Sequence, residues 1–156
     1  MLFKTSLNLC LLALMLIFVP LKADMRVDST LNFGSIAIRD NSQVWLIQQF
    51  SDGSVAVDSG FVILEPGNAG QYFFYNLPAS TQISFLIVDG VGPLLFSGGS
   101  PQAEFTVEPY LDFSTYTTDS NGELTLPLPG VLKTSGDGLS YVDGVYYRFF
   151  ELSINY

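Results

Sequence analysis

No histidine occurs in the 156 residues, there is a single cysteine, and 6 bases stand against 15 acids for a formal charge of −9. Each shortage removes a class of chemistry. Without histidine there is no Ser-His-Asp triad and no zinc site of the usual kind, and with them go the common haem ligands. Cys10, Lys4 and Lys22 all lie in an N-terminal stretch that reads as a removable leader. The processed chain is then expected to have no thiol, and its bases reduce to Arg26, Arg39, Lys133 and Arg148. Four scattered bases cannot supply the phosphate-neutralising footprint that nucleic-acid binding needs. After residue 23 glycine and proline are spread so evenly that few stretches free of them are long enough for a three-turn helix.

What is present begins with the leader, MLFKTSLNLCLLALMLIFVPLKA. One lysine precedes an apolar run from Leu7 to Val19, Pro20 breaks it, and the small Ala23 sits just before Asp24. That order is the signature of a secretory signal peptide over residues 1–23, and the run is short for a membrane span of about 20 residues. A single domain over 24–156 is therefore expected outside the cytoplasm, in a periplasm, on a cell surface or secreted. No membrane insertion of that domain is expected, and with no disulfide it must hold together by packing.

Glycine and proline punctuate the rest into short runs rich in Val, Ile, Phe, Tyr and Thr. Strands are predicted near 31–38, 44–50, 54–57, 61–65, 70–76, 81–88, 93–97, 103–107, 110–117, 123–128 and 144–156. Turns are predicted at Asp52-Gly53, Pro66-Gly67, Asp89-Gly90, Gly98-Gly99, Asn121-Gly122, Pro129-Gly130 and Asp143-Gly144. Closely spaced turns of this kind indicate an all-β antiparallel sandwich or small barrel. Gly34 interrupts the alternation of Leu31, Phe33, Ile36 and Ile38, which predicts a bulge or a close backbone approach. In the last strand Tyr146, Arg148, Phe150, Leu152, Ile154 and Tyr156 share one face, and Val145, Tyr147 and Phe149 begin the other.

Candidate chemistry is sparse. Glu104, Glu108 and Asp112 are spaced to share a strand face, the one arrangement that suggests a carboxylate pair for glycoside cleavage. Pro109 interrupts that strand, and charges on a solvated edge explain the same residues. Asp119-Ser-Asn121-Gly122-Glu123 has its glycine too early for a calcium loop and reads as a hairpin turn. No metal and no cofactor are expected, and no catalytic residue is assigned. Tyr72 and Tyr75, in the run Tyr72-Phe-Phe-Tyr75, are candidates for stacking on a sugar if they face outward.

The two ends of the processed chain carry a recognisable pattern. It opens with Leu31-Asn-Phe33-Gly34-Ser-Ile36-Ala-Ile38 and closes with Gly144-Val-Tyr146-Tyr-Arg-Phe-Phe150-Glu-Leu152-Ser-Ile154-Asn-Tyr156. This resembles an uncharacterised family of secreted bacterial β-domains, a domain of unknown function. The closing strand is similar to that of spore coat protein U and the archaic chaperone–usher pilins. The resemblance implies an immunoglobulin-like β-sandwich acting without catalysis, as a pilin-like or adhesion-type domain. Its implied partners are a periplasmic chaperone or like subunits that add a strand to an exposed edge. It also implies that Phe33, Gly34, Gly144, Tyr146, Leu152, Ile154 and Tyr156 form the structural motif or assembly strand. Asp24 to Thr30 could supply only one strand of about 23 Å ahead of the sandwich, so the domain is expected to complete itself. Two other readings use the same residues: a monomeric carbohydrate-binding module for surface glycans, and a small outer-membrane β-barrel ending in an aromatic residue.

Overall fold

The computed structural model describes residues 23–99 and 103–155. The stretch predicted as a leader, apart from Ala23, lies outside the described residues, as does Tyr156. Every strand pairing is antiparallel. The fold is an all-β sandwich whose strands, in chain order, are β1 (Asp24–Ser29), β2 (Ser35–Ile38), β3 (Leu46–Gln49), β4 (Val55–Val57), β5 (Phe61–Glu65), β6 (Gly70–Tyr75), β7 (Gln82–Val88) and β8 (Gly92–Pro93). They continue with β9 (Leu95–Phe96), β10 (Thr106–Pro109), β11 (Thr115–Thr117), β12 (Leu124–Leu128), β13 (Gly130–Lys133), β14 (Tyr146–Tyr147) and β15 (Glu151–Asn155).

Two long segments organise the molecule by passing from one sheet to another, as strands do at sandwich corners. Residues 24–38 run beside 61–75, first as β1 on β6 and then as β2 on β5, linked at the bend by Asn32 and Asn68. Residues 124–133 bond to β6 in their first half and to β3 and β10 in their second. The result is two packed halves. In the first, the sheet β1-β6-β12 covers the sheet β11-β7-β15 over a core of Tyr72, Phe74, Ile83, Phe85, Leu126 and Leu128. In the second, the sheet β4-β3-β13-β10-β8 is closed by β2-β5 over Ile47, Phe61, Phe105 and Leu132. Phe74 on Phe85, with ring centroids 5.1 Å apart, joins the two layers of the first half.

Local chemistry accounts for the turns. Asp52 accepts the N–H and hydroxyl of Ser54, and Gly53 takes a φ of +84° in the β3–β4 hairpin. Asp119 accepts the N–H groups of Asn121 and Glu123, so the stretch predicted as a turn rather than a calcium loop is one. Gly34 has a φ of +79°, and the β2–β5 register shifts beside it. A Cβ there would collide with the Glu65 carbonyl, so this is the close approach that the broken alternation predicted.

Several expectations need correction. Asp24–Ser29, absent from the predicted strands, forms the strand β1 on the edge of the sheet beside β6. Pro129-Gly130 is not a turn. Pro129 is fully buried between β12 and the unpredicted β13, its carbonyl accepting the Tyr110 N–H. The strand predicted over 144–156 is broken: Tyr146 and Tyr147 pair with β9, and Glu151 to Asn155 pair with β7. The 110–117 prediction shrinks to β11, and the 103–107 prediction shifts to 106–109. The barrel reading does not fit either. Each sheet is an open array of strands rather than a closed one, and the longest described strand, β7, has seven residues where spanning strands need about 9–11. Among the described residues no helix is long and apolar enough to cross a membrane.

Candidate binding cleft

Among the described residues β1 has one hydrogen-bonded neighbour, β6, and β15 has one, β7. Each therefore keeps a row of backbone N–H and C=O groups without a strand partner. They belong to facing sheets, so the two free edges flank one open side of the sandwich. Two cavities lie along that side, of about 600 Å³ and about 410 Å³. Met25 and Leu31 from the first segment line the larger one opposite Phe150, Leu152 and Ile154, with Tyr72 and Phe74 from the core at its base. The smaller one continues between Phe33, Gly34 and Ile36 on one side and Gly144, Tyr146 and Arg148 on the other, over Phe105 and Leu132. Leu31, Arg148 and Phe150 line both.

The alternation of the last segment explains the wall. Tyr146, Arg148, Phe150, Leu152 and Ile154 are all half-buried toward the interior, and Val145, Tyr147 and Phe149 are exposed. Tyr146 packs edge-on to Phe105 at 5.0 Å, leans on Phe96 at 5.0 Å, and donates its hydroxyl to the Val142 carbonyl at 2.9 Å. Leu152 and Ile154 pack on the first core. Gly144 leaves room for the Phe96 ring, which a Cβ would touch. The opening motif is set by Asn32, whose Oδ1 accepts the Gly34 N–H at 2.8 Å and so turns Phe33 toward the second core. Phe33, Gly34, Gly144, Tyr146, Leu152 and Ile154, drawn from opposite ends of the chain, thus meet along one cleft.

The aromatic candidates separate. Tyr72 is 7% exposed and meets Phe150 edge-on at 6.4 Å, so it cannot stack on a ligand at the surface. Burial also pushes its hydroxyl pKa up. It points inward because β6 alternates, with Tyr72 and Phe74 inside and Phe73 and Tyr75 outside. Tyr75 is half-exposed and stacks on Phe73 at 6.0 Å, and Arg26 lies 4.7 Å over the Phe73 ring. The exposed apolar patch lies elsewhere. Phe149 is 81% exposed and Val145 65%; Tyr147 packs against Phe149 and sits opposite the exposed Leu95.

The acidic candidates are not drawn together into a site. Glu108 is held by Lys133 at 2.6 Å, and Glu104 and Asp112 are exposed on either side of it in the chain. Among the described residues no group of three or more acidic or cysteine side chains is placed to hold a metal ion. The lining residues that sequence reasoning did not single out are Met25, brought to the wall by the pairing of β1 with β6, and Phe74 at the base. Comparison of the chain with protein-family models, with curated proteins and with solved structures finds no match.

Proposed function

We propose that this is an extracytoplasmic, non-enzymatic β-sandwich domain, immunoglobulin-like and of pilin or adhesion type, that works by taking an extended segment of a partner polypeptide into the cleft. The observation that carries this reading is the pair of unbonded edges, β1 and β15, flanking an apolar trough that opens onto the core. Strand addition satisfies both needs of such a site at once: backbone groups pair along an edge, and alternate side chains fill the cavities beneath. A chaperone strand or a strand from a like subunit has this chemistry. The secretory leader supports the compartment, since such assemblies form after export.

The test is the state of the protein purified from a periplasm after expression of the full chain with its leader. Light scattering and unboiled SDS gels are expected to show a ladder of multimers, or a stable complex with an added strand, that collapses on boiling. A monomer whose cleft residues exchange amide hydrogens no faster than the core would overturn the reading. A second reading, sugar binding, is favoured by the exposed Tyr147 and Phe149 rather than by Tyr72. It requires a glycan-array signal that Tyr147→Ala and Phe149→Ala each abolish.

A further inference from the structure

Arg148 sits where the two cavities meet and lines both. Its seat is built with care. Nη1 donates to the Pro93 carbonyl at 3.1 Å, and Nη2 donates to the carbonyls of Asp89 at 2.8 Å and Val91 at 3.3 Å. Gly92 leaves the space, since a Cβ there would lie 2.6 Å from Nη1. Its Nε is buried and has no hydrogen-bond partner. Among the described residues no carboxylate lies within ion-pair distance of the guanidinium, although the chain carries 15 acids. Glu151 lines the larger cavity but is exposed on the opposite face of its strand.

The other cations among the described residues differ, Arg39 by lying exposed to water. Arg26 is bound to Asp28 and Lys133 to Glu108. Carbonyl dipoles orient a guanidinium but do not cancel its charge, and a half-buried cation without a counter-ion is costly. A carboxylate offers the missing charge and a charge-assisted hydrogen bond, which is about twice as strong as a neutral one.

We infer that the partner segment is apolar at alternate positions and carries an aspartate or glutamate at the one inward-facing position that passes Arg148. This inference rests on the strand-docking reading above and adds the charge that selects the partner. Inward-facing residues of an added strand recur every second position. The acid therefore falls between apolar residues two before and two after it, which meet Tyr146 and Phe105 on one side and Phe150 and Leu152 on the other. A neutral or basic residue at that position would leave the guanidinium desolvated by the strand and still unpaired.

The experiment uses the protein purified from a periplasm and three labelled peptides of ~11 residues, about 36 Å when extended. They are apolar at alternate positions and identical except for Glu, Ala or Lys at the centre. Fluorescence anisotropy is expected to show the Glu peptide binding at least ten-fold tighter than the Ala peptide, with the Lys peptide weakest. The Glu advantage is expected to shrink as salt rises and to vanish in Arg148→Gln. The comparison among peptides needs only the unaltered protein, so it stands even if Arg148→Gln loosens the 89–93 loop. Equal binding of all three would overturn the acid preference and leave strand docking intact. Binding by none of them, with the protein monomeric by light scattering, would overturn both. A self-associated protein that excludes all three would make the occupant a second copy of the chain and overturn this inference.

Discussion

At the scale of single residues, the molecule depends on a few positions where backbone geometry or a buried polar group leaves no latitude. Gly34 combines a positive φ with a carbonyl pressed against its Cα. Gly34→Ala is expected to cost about 1–3 kcal/mol in urea unfolding, since neither strain nor clash can be relieved without moving β5. Thr118 is 3% exposed; its hydroxyl donates to the Pro78 carbonyl at 2.6 Å and accepts the Thr81 N–H at 2.9 Å. Thr118→Val keeps the shape and orphans both groups, a loss of about 1–3 kcal/mol by the same measurement. The turn aspartates act through protons. The Ser42 N–H and hydroxyl hold Asp40 below its ordinary value of 3.8, as the Ser54 hydroxyl and N–H do for Asp52 and the Leu139 N–H does for Asp137. A depressed folded pKa contributes stability that is complete above the unfolded value and is lost as pH falls through the folded one. The melting temperature is therefore expected to hold from neutrality to about pH 4 and to decline below it, with a shallower decline in Asp52→Asn.

At the scale of elements, the strands divide into those bonded on both sides and those bonded on one. β6, β7 and β13 are central, and β1 and β15 each have a free edge. Hydrogen exchange is expected to be slowest in β6 and β7, with alternate amides of β1 and β15 among the fastest in the paired strands. Exchange protecting all five strands alike would mean that the free edges are covered. Packing follows the same division. Leu126, fully buried between the sheets, is expected to cost about 2–5 kcal/mol as Leu126→Ala. Phe149→Ser, on the outward face of the last segment, is expected to change stability by less than about 0.5 kcal/mol. These two outcomes, read from denaturant midpoints, check which side of each strand is the inside. Legibility also differed by element. β5, β6, β7 and β12 announced themselves by apolar and aromatic density between turn residues. β1 did not, because Asp24, Arg26 and Asp28 make it read as a polar lead-in. It is a strand only because β6 presents an edge to it.

At the scale of the whole molecule, two half-cores share the segments that cross between them. Leu128 belongs to the first core and Leu132 to the second, with Pro129 buried between them. Proline has no N–H to donate, so it is tolerated within a sheet only where no neighbour calls for one. At this position the strand passes from β6 to β3 and β10, and the carbonyl of Pro129 alone is used, by Tyr110. The dipeptide Pro129-Gly130 predicts a turn, but the topology carries the chain straight on from one sheet to the next. The cleft belongs to this scale as well. Its walls come from residues 25–36 and 144–154, and no local stretch contains it.

The division between what the chain wrote locally and what folding decided follows from the range of the forces involved. The absence of histidine, the density of glycine and proline, and the period-two alternation of Tyr146, Phe150, Leu152 and Ile154 are local. They determined by themselves the exclusion of whole classes of chemistry, the all-β fold and the inward face of the last segment. Tyr72 shows where that limit lies. The alternation says that it and Phe74 share a face, but only the sheet β11-β7-β15 packed against that face makes it the interior. The open side between β1 and β15, and the place of Arg148 along it, were decided by tertiary structure alone. Strand pairing joins residues as far apart as Leu46 and Lys133, and which edges remain unbonded is a property of the finished sheet order that no segment carries in its own sequence.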